Sequence, residues 1–513
     1  MEIVLVDEEE ILQKFLENTI PQNFRYFEKR NLNCIKNHLD IPRLLENKPI
    51  AYGHLDKEDN NVWLGLCILE NQQGMGFGKE MLNYLIDFSY KNSIKEIKLT
   101  IDIDNFKALN LYLKHGFKIS EINKKHYLME RKSSIINIPV SLGEALDKLT
   151  ILDIKLEKIK DDRRKDVEYE YDLLTKELSN YIEDNKFNYR ILKEINLNIW
   201  DMQDDFRYNK GDKNELCIKI IEENDRRFRV KKKINEKTKS CIKEQKGYKI
   251  KEAFVLTHLG LGDNITAIGM VRYLSTLYDR VNVVCKEKNE ENVRLFYEDD
   301  KNITIYPVKN DNNISPRLGC NLKTFEQITK NMDLYLCGVH NMTRRKKITY
   351  DNIPYCFYQH VDISPKIFWE YFYIPSIDKS RSLLDLLNGI DFIFIHNTSS
   401  QGKVFDINIV EKKLTFNRDD ILFLNPCMNC YDVNHKFYQL AENLKGHKLA
   451  EYKDIIENSE ANIFSDSSFM CLSLNLDIKT RENYFVSRGS DYSKLYDSVY
   501  YSETFNKRKF KPL

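Results

Sequence analysis

The sequence predicts a multidomain α/β protein with an all-α region in its middle. The chain has 513 residues, more than one compact fold usually holds. Strand-like and helix-like segments alternate near both ends. Between Ile135 and Lys249, in contrast, glycine and proline almost vanish and apolar residues recur at helical spacing. We therefore expect four folding units, at residues 1–132, 133–249, 250–380 and 381–513.

Composition narrows the class of function. There are 79 Lys and Arg against 78 Asp and Glu, a formal net charge of +1, so no strong positive field is available to hold nucleic acid. The N-terminus does not have the pattern of a signal peptide, and no apolar stretch approaches the roughly 20 residues of a membrane helix. Eleven cysteines, an odd number, do not suggest a disulfide framework, and Cys427 and Cys430 have too few companions for a zinc site. We expect a cytoplasmic protein without nucleic-acid, membrane or metal partners.

The first unit contains a glycine-rich loop between a strand and a helix. The predicted strand is Val62–Leu69 and the predicted helix is Glu80–Tyr90. The loop between them reads Gln73-Gly74-Met75-Gly76-Phe77-Gly78-Lys79. Glycines let backbone amides approach a ligand closely, and a helix N-terminus favours an anion such as pyrophosphate. Taken alone, the loop is compatible with an ordinary turn or with a dinucleotide-binding fingerprint.

A second motif in the same unit decides between these interpretations. Residues Leu99–Asn105 read as a strand and its exit. Asn105, Ala108 and Tyr112 then share one face of a helix that ends before Gly116. Together the two motifs resemble the GNAT acetyltransferase superfamily, which implies a GNAT fold for the first unit.

The resemblance implies acetyl-CoA as the cofactor and a role for each motif residue. The backbone of the glycine loop, residues 73–79, would hold the pyrophosphate. The strand end at Leu66, Cys67 and Ile68 would align the pantetheine arm and polarise the thioester carbonyl. Asn105 and Ala108 would contact the cofactor arm, and Tyr112 would protonate the departing thiolate.

The base that takes the proton of the amine is left open by the sequence. His54, Asp56, Glu70 and an ordered water are the candidates, since the strand Val62–Leu69 offers no carboxylate. His54 ranks first among them because histidine titrates in the useful pH range.

The middle region begins with a well-specified helix. Ser141 can cap it, and Glu144 stands three residues later, as in a capping box. The segment resembles a bacterial helical family of unknown function that is associated with surface-carbohydrate proteins. We expect a helical hairpin or coiled region that spaces the α/β modules or forms a homodimer. Its charged blocks, Lys158–Lys165 and Arg226–Lys239, are typical of solvated helix faces.

The last region returns to the rhythm of strand, loop and helix. The predicted strand Ala253–Thr257 leads into a loop with Gly260, Gly262 and Asp263, and Asp263 lies at a helix start, where a carboxylate is stabilised. Further predicted strands are Val281–Cys285, Ile303–Tyr306, Asp333–Cys337, Asp391–His396, Ile421–Leu424 and Ala461–Ser465. Strands interleaved with helices predict parallel sheets, here two domains facing across a cleft.

These features resemble the heptosyltransferase-type branch of GT-B glycosyltransferases, a pair of Rossmann-type domains. The resemblance implies that Asp263 deprotonates an acceptor hydroxyl and that Lys403 neutralises the diphosphate of a UDP- or dTDP-sugar. The residues that would bind the nucleotide sugar are Gly260, Gly262, His396, Lys403, Asp466, Ser467 and Ser468. The sequence departs from that branch at Ser468, where glycine is usual, and the histidine that normally follows is absent. Donor identity and activity therefore stay open.

Together the resemblances imply a bifunctional enzyme of glycan assembly. One part would N-acetylate a nucleotide-linked amino sugar, such as a 4-amino-4,6-dideoxyhexose, and the other would transfer a sugar from a nucleotide donor. One alternative is a protein or polyamine acetyltransferase whose C-terminal part only binds sugar; the other is a helical scaffold that recruits glycan enzymes. The layout and the Lys, Asn and Ile bias also resemble surface-glycan enzymes of giant DNA viruses, which would act in the host cytoplasm.

Overall fold

The structure, a computed structural model, describes residues 2–5, 13, 15–18, 20, 22, 24–26, 38–40, 42–46, 48–92, 94–133, 138–247, 250–341, 353–398, 402, 404–414, 416–486 and 510–513. The chain divides into two compact units, Met1–Pro139 and Val140–Leu513. The finer division into four units stays a prediction.

The first unit is built on an eight-stranded sheet. Its strands are β1 (Glu2–Leu5), β2 (His38–Asp40), β3 (Pro42–Glu46), β4 (Lys48–Glu58), β5 (Asn61–Ile68), β6 (Glu96–Asp102), β7 (Lys118–Ile122) and β8 (His126–Lys132). Their order is β1-β3-β4-β5-β6-β8-β7, and β2 pairs with β4. Neighbours are antiparallel, except that β5 and β6 run parallel.

The parallel pair in the middle of this sheet opens into a cleft. Trp63 of β5 pairs with Lys98 of β6, and this is the one ladder pair of the two strands among the described residues. Beyond it, residues 64–66 and 100–102 line the cleft walls. On the cleft side, these residues of β5 and β6 form no ladder pairs with each other, while their other edges pair with β4 and β8.

Helices α1 (Phe77–Lys91) and α2 (Phe106–Lys114) accompany the sheet. The expected helix Glu80–Tyr90 is confirmed and starts earlier, directly after the glycine loop. Met81, Leu82 and Leu85 form its buried face, at the spacing of an amphipathic helix. The helix lies close to β4: a Cβ on Gly53 would come within 2.8 Å of Met81 Cγ.

The second unit begins with four helices where a hairpin was expected. They are α3 (Leu142–Lys158), α4 (Arg164–Asp184), α5 (Lys186–Arg207) and α6 (Lys213–Lys237). The Ser141 hydroxyl caps α3 by accepting a hydrogen bond from the Glu144 backbone N–H at 3.2 Å, as the sequence predicts. Inside the bundle, Asp147 is buried and accepts hydrogen bonds from Arg227 and Asn196.

The expectation that Arg226–Lys239 is a solvated face is wrong for one side of α6. Arg226, Arg229 and Lys233 are 6%, 3% and 6% exposed. Each of them has a partner in the next region of the chain. The pairs are Arg226 with the Tyr371 hydroxyl at 2.8 Å, Arg229 with Asp279 at 3.1 Å, and Lys233 with Asp300 at 2.9 Å. Long cationic side chains are buried here because carboxylates and hydroxyls on the facing elements compensate them.

Two parallel sheets follow the bundle. The first has four strands in the order β11-β10-β9-β12, and the second has five in the order β14-β13-β15-β16-β17. The strands are β9 (Glu252–Leu256), β10 (Arg280–Lys286), β11 (Ile303–Val308), β12 (Met332–Leu336), β13 (Phe392–His396), β14 (Leu422–Leu424), β15 (Ala461–Ser465), β16 (Asn483–Val486) and β17 (Phe510–Pro512). In each sheet the chain first adds strands on one side of its first strand and then crosses to the other side. We call this point the winding reversal; it lies between β9 and β12 in the first sheet and between β13 and β15 in the second.

Short helices connect these strands. They are α7 (Leu261–Thr266), α8 (Ile268–Leu277), α9 (Glu290–Leu295), α10 (Leu322–Ile328), α11 (Ile353–His360), α12 (Ile367–Glu370), α13 (Asp378–Asp385), α14 (Asn408–Leu414), α15 (Tyr438–Asn443), α16 (Lys453–Asn458) and α17 (Ser468–Ser473). One hydrophobic core runs from Leu146 of α3 to Phe510 of β17. In the part of the chain that is described, no helix combines the length and the hydropathy needed to cross a bilayer.

Candidate functional site

The glycine loop of the first unit leads straight into helix α1. Gly74 and Gly76 have φ angles of +86° and +93°, and nothing lies within 4 Å of the place where a Cβ would stand on either. Positive φ is the conformation that glycine adopts without steric cost. Gly76 is the N-cap, so no side chain covers the amides of the first helical turn. These amides and the helix dipole form an anion site.

A cleft of about 440 Å³ adjoins this loop. Most of the predicted cofactor residues line it, namely Leu66, Cys67, Ile68, Gln73, Gly74, Gly76, Gly78, Lys79, Asn105 and Ala108, together with Tyr112. The structure therefore brings the strand end, the loop and the second motif into one wall. Two predicted residues lie outside it: Met75 is 65% exposed, and Phe77 packs against the core.

Asn105 has a structural role that the sequence did not assign to it. Its side-chain oxygen accepts a hydrogen bond from the Ala108 backbone N–H at 3.2 Å and thereby caps α2. An N-cap satisfies one of the free donors of the first helical turn. Asn105 thus fixes the start of the helix that carries Tyr112.

Tyr112 is buried and stands where two clefts meet. Burial, and secondarily the nearby Cys67, raise the pKa of its phenol, so the group stays protonated at any physiological pH. Burial likewise raises the pKa of the Cys67 thiol to about 12. The Tyr112 ring contacts Phe117 edge-on, with centroids 5.4 Å apart. A protonated hydroxyl in this position is a proton donor and not a nucleophile.

The second cleft, of about 520 Å³, is the candidate acceptor site. It shares Phe24, Leu66, Asn105, Ala108 and Tyr112 with the first cleft. Its other walls carry an aromatic ring and several charged or titratable groups, namely Trp63, Arg25, His54, Glu58, Asp102 and His126.

The predicted bases do not all reach this cleft. His54 lines it from β4, and its ring occupies the space above Gly65, where a Cβ would be 2.1 Å from His54 Cε1. Asp56 is buried and accepts a hydrogen bond from the Tyr26 hydroxyl. Glu70 lies in a 3-10 helix, Glu70–Gln72, and lines neither cleft.

Sequence reasoning missed an ion cluster on the far wall. His126 Nδ1 is 2.8 Å from Asp102 Oδ1, and Arg25 Nη2 is 2.5 Å from the same oxygen. Asp102 ends β6 and His126 begins β8, and the two residues face each other in the antiparallel ladder. The contact depends on the register between two strands that are joined through β7, and no local pattern reveals such a register.

The C-terminal candidates lie at the winding reversals of the two parallel sheets. Gly260, Gly262 and Asp263 follow β9, at the reversal between β9 and β12. Open parallel sheets bind ligands at this place, outside the carboxyl ends of their strands. The expectation that the helix start stabilises the Asp263 carboxylate is wrong in its net effect, because burial raises the pKa of this carboxyl to about 7.

The matching residues of the second sheet lie at its own reversal. His396 ends β13, and its Nδ1 is 2.9 Å from the Ser467 hydroxyl, in the turn after β15. Asp466 and Ser468 belong to the same turn and helix start. Burial lowers the pKa of His396 to about 4, so the ring is neutral near pH 7. The predicted phosphate ligand Lys403 lies outside the described residues.

The two loops approach each other. A Cβ on Gly262 would be 3.3 Å from the Cys471 sulfur in α17, so the helix that follows the Asp466 turn packs beside the Asp263 loop. Cys427 and Cys430 are free thiols. Within the described ranges, no group of three or more His, Cys, Asp and Glu side chains is placed to hold a metal ion.

Comparison with known families supports the class of the first unit. Residues 9–117 match the sequence model of the acetyltransferase (GNAT) family, and residues 136–254 match a family of unknown function, DUF6165. The first unit is therefore a GNAT acetyltransferase domain, and the bundle corresponds to the second family. No curated protein is a significant match to the chain.

Several solved structures are similar to the first unit. One is the ribosomal-protein-S18-alanine N-acetyltransferase from Escherichia coli, with 16% identity over 27% of this chain and 97% of that chain, TM-score 0.23. Another is the PaiA N-acetyltransferase from Thermoplasma acidophilum in complex with coenzyme A, with 19% identity over 26% and 100%, TM-score 0.23. A third is an acetyltransferase from Salmonella typhimurium with its cofactor acetyl-CoA, with 16% identity over 27% and 98%, TM-score 0.22.

The residues of the 440 Å³ cleft fit acetyl-CoA. A Cβ on Gly78 would stand 3.6 Å from Leu111 and 3.7 Å from Ile68, inside the cleft, so glycine keeps this cradle open. The uncapped helix start suits a pyrophosphate, and Leu66 to Ile68 present a strand end to an extended arm. When bound, acetyl-CoA supplies the activated acetyl group.

Proposed function

We propose that the first unit transfers an acetyl group from acetyl-CoA to a primary amine. The observation that carries this proposal is the place of Tyr112, a buried and protonated phenol at the junction of the cofactor cleft and the acceptor cleft. In this role Tyr112 donates its proton to the sulfur as the C–S bond breaks. The strand end at Leu66 orients the thioester.

We further propose an amino sugar, carried by a nucleotide, as the acceptor. The acceptor cleft is large, about 520 Å³, and combines Trp63 with Glu58 and Asp102. An aromatic face and several hydrogen-bond acceptors suit a hydroxylated ring that bears an amine. The resemblance of the sequence after residue 250 to GT-B glycosyltransferases is a further reason to propose an acceptor from sugar metabolism.

The acetyl-transfer proposal is tested with Tyr112→Phe. We expect kcat to fall about 100-fold or more, because the proton donor is lost, while KM for acetyl-CoA changes little. Tyr90→Phe is the matched control: Tyr90 accepts a hydrogen bond from Arg131 and lines neither cleft. Equal kcat in Tyr112→Phe and wild type would contradict the assignment.

The acceptor class is tested with a panel of amines. Turnover of UDP- or dTDP-linked amino sugars, with little turnover of peptide lysines, peptide N-termini or polyamines, is the expected result. The reverse preference would favour a protein or polyamine acetyltransferase. Absence of turnover on every amine would favour a scaffold that recruits other enzymes.

For the second unit we propose glycosyl transfer from a UDP- or dTDP-sugar, with Asp263 as the base for the acceptor hydroxyl. This is supported by candidate residues at the winding reversals of both sheets and by the packing of Gly262 beside Cys471. The donor would lie near His396, Lys403, Asp466, Ser467 and Ser468. Transfer that survives Asp263→Ala unchanged would contradict the role of Asp263.

We also propose that two copies of the chain associate through the helical bundle. Ile218 and Ile221 are 58% and 62% exposed and lie three residues apart on α6, so they share one apolar face. Light scattering is expected to give the mass of a dimer for wild type and the monomer mass of about 61.0 kDa for Ile221→Glu. A monomeric wild type would contradict the proposal.

A further inference from the structure

The cluster of Asp102, His126 and Arg25 is built into the acceptor cleft. Asp102 and His126 line it together with Tyr112 and Leu66, the residues through which it joins the cofactor cleft. The Asp102 side chain is 19% exposed and the His126 side chain 37% exposed. The imidazole is thus open to a substrate on one side and held by a carboxylate on the other.

The backbone fixes the position of His126. Asn123 Oδ1 accepts a hydrogen bond from the His126 N–H at 2.7 Å, and the Asn123 N–H donates to the His126 carbonyl at 3.0 Å. The opposite strand adds a bond from the Ile103 N–H to the Lys125 carbonyl at 3.1 Å. This closed turn places His126 against Asp102, which limits the freedom of the ring before any substrate binds.

The hydrogen bond decides which ring nitrogen can work as a base. Nδ1 contacts the carboxylate, and a carboxylate accepts hydrogen bonds only, so Nδ1 carries a proton. In the neutral ring Nε2 then holds the free lone pair. A carboxylate behind an imidazole also stabilises the imidazolium that forms when Nε2 takes a proton.

We propose that His126 is the general base of acetyl transfer and that Asp102 is its positioning residue; this rests on the proposed acetyltransferase function. His126 Nε2 takes one proton from the substrate ammonium. The neutral nitrogen forms a bond to the acetyl carbon, the C–S bond breaks, and Tyr112 gives its proton to the sulfur. The acylated nitrogen then loses a second proton, which returns through solvent to the Tyr112 phenolate. The proton on His126 is released to solvent. In this proposal His54 lines the cleft and takes no part in proton transfer.

Other groups around the cleft set the electrostatic background. The other charged or titratable groups that line the same cleft are Arg25, Tyr26, His54, Glu58 and Tyr112. Arg25 shares the Asp102 oxygen with His126 and balances its negative charge. Glu58 adds a carboxylate to the acceptor side of the cleft. Its negative charge favours binding of the substrate amine in the ammonium form.

The dyad is tested by the pH dependence of kcat/KM. In the full-length protein we expect His126→Gln to lose the acid limb of the profile and to lower kcat about 100-fold, with KM for acetyl-CoA unchanged. Asp102→Asn is expected to lower kcat and to leave KM for acetyl-CoA unchanged, because the ring is no longer held in the tautomer that leaves Nε2 free. If His126 had a merely structural role, its substitution would not move the acid limb.

A chemical rescue and a matched control complete the experiment. Added imidazole is expected to restore turnover to His126→Ala but not to Tyr112→Phe. His115→Gln is the control, since His115 contacts the Leu111 carbonyl at the end of α2 and lines neither cleft. Wild-type turnover with an unchanged profile in His126→Gln would overturn the dyad and leave acetyl transfer standing. Loss of the acid limb in His54→Gln but not in His126→Gln would likewise overturn the dyad. Absence of wild-type turnover on every amine would overturn both.

Discussion

Burial of the Asp263 carboxyl disfavours its ionised form. Its pKa is raised from 3.8 to about 7, with burial as the largest cause and a backbone hydrogen bond from Gly260 opposing it. A raised folded-state pKa favours folding below the unfolded value, and this contribution is lost as pH rises towards 7. Asp263→Asn removes the titration. We therefore expect this variant to match wild type near pH 4 and to be more stable above pH 7, by at most ~4 kcal/mol.

Denaturant unfolding of Asp263→Asn and wild type at pH 4 to 8 measures this difference. Asp419→Asn is a suitable control because Asp419 is exposed and pairs with His435 at the surface. Equal pH dependence in Asp263→Asn and wild type would show that the Asp263 carboxyl is not buried in solution.

Residues whose role depends on neighbours in sequence could be predicted from sequence. Ser141 caps its helix as expected, and Tyr112 stands on the face that its spacing from Asn105 predicts. His126 could not be found in this way. Its partner Asp102 is 24 residues away, and the contact arises only when β6 and β8 take their register.

At the scale of elements, the glycine loop and α1 form one device for binding an anion. Gly76→Ala puts a Cβ on a residue with φ of +93°, which costs about 1 kcal/mol in backbone strain. Relief of that strain moves the first-turn amides. We expect KM for acetyl-CoA to rise about tenfold, which corresponds to 1.4 kcal/mol, with a smaller change in kcat.

Gly211→Ala is the matched control for this prediction. Gly211 has a φ of +84° and lies between α5 and α6, so the substitution carries a similar backbone cost away from the acetyltransferase domain. Steady-state kinetics with varied acetyl-CoA distinguishes the two. A Gly76→Ala variant with unchanged KM would contradict the role of the loop.

Helix α6 shows that the spacing of charged residues in a sequence does not reveal whether a helix face is buried. Its cationic residues recur every three or four positions, which reads as a solvated stripe, yet Lys233 is buried between Ser275 and Asp300. Burial lowers the pKa of Lys233. The compensating carboxylate lies after α9, beyond any local window of sequence, so the sequence predicted the helix and not its environment.

The buried pair gives a prediction for stability. Lys233→Ala leaves the Asp300 carboxylate without one of its cations, so we expect a loss of about 3 kcal/mol in the free energy of unfolding. Lys232→Ala, next to it, removes a half-exposed lysine that is 3.9 Å from Glu236 and is expected to cost no more than ~0.5 kcal/mol. Urea titration of both variants checks the difference, and similar losses would contradict the burial of Lys233.

At the scale of the whole molecule, two compact units predict two unfolding transitions. Gly53→Val in the first unit would place its Cβ 2.8 Å from Met81, and Gly269→Ala in the second would place its Cβ 2.5 Å from the Ile367 carbonyl oxygen. Overpacking of this kind costs about 1–3 kcal/mol. In calorimetry each variant is expected to lower one transition and leave the other in place. A single transition that both variants lower would show that the units unfold together.

The close packing of His54 over Gly65 has a consequence for how this domain can change. A side chain at position 65 cannot coexist with the His54 ring, since its Cβ would be 2.1 Å away. A substitution of His54 by a smaller residue must therefore come first, and the substitution of Gly65 by a residue with a side chain can only follow it. The two positions are expected to be epistatic: Gly65→Ala is expected to be harmful beside histidine and tolerated beside alanine. Natural variation and laboratory evolution of this cleft would have to follow that order.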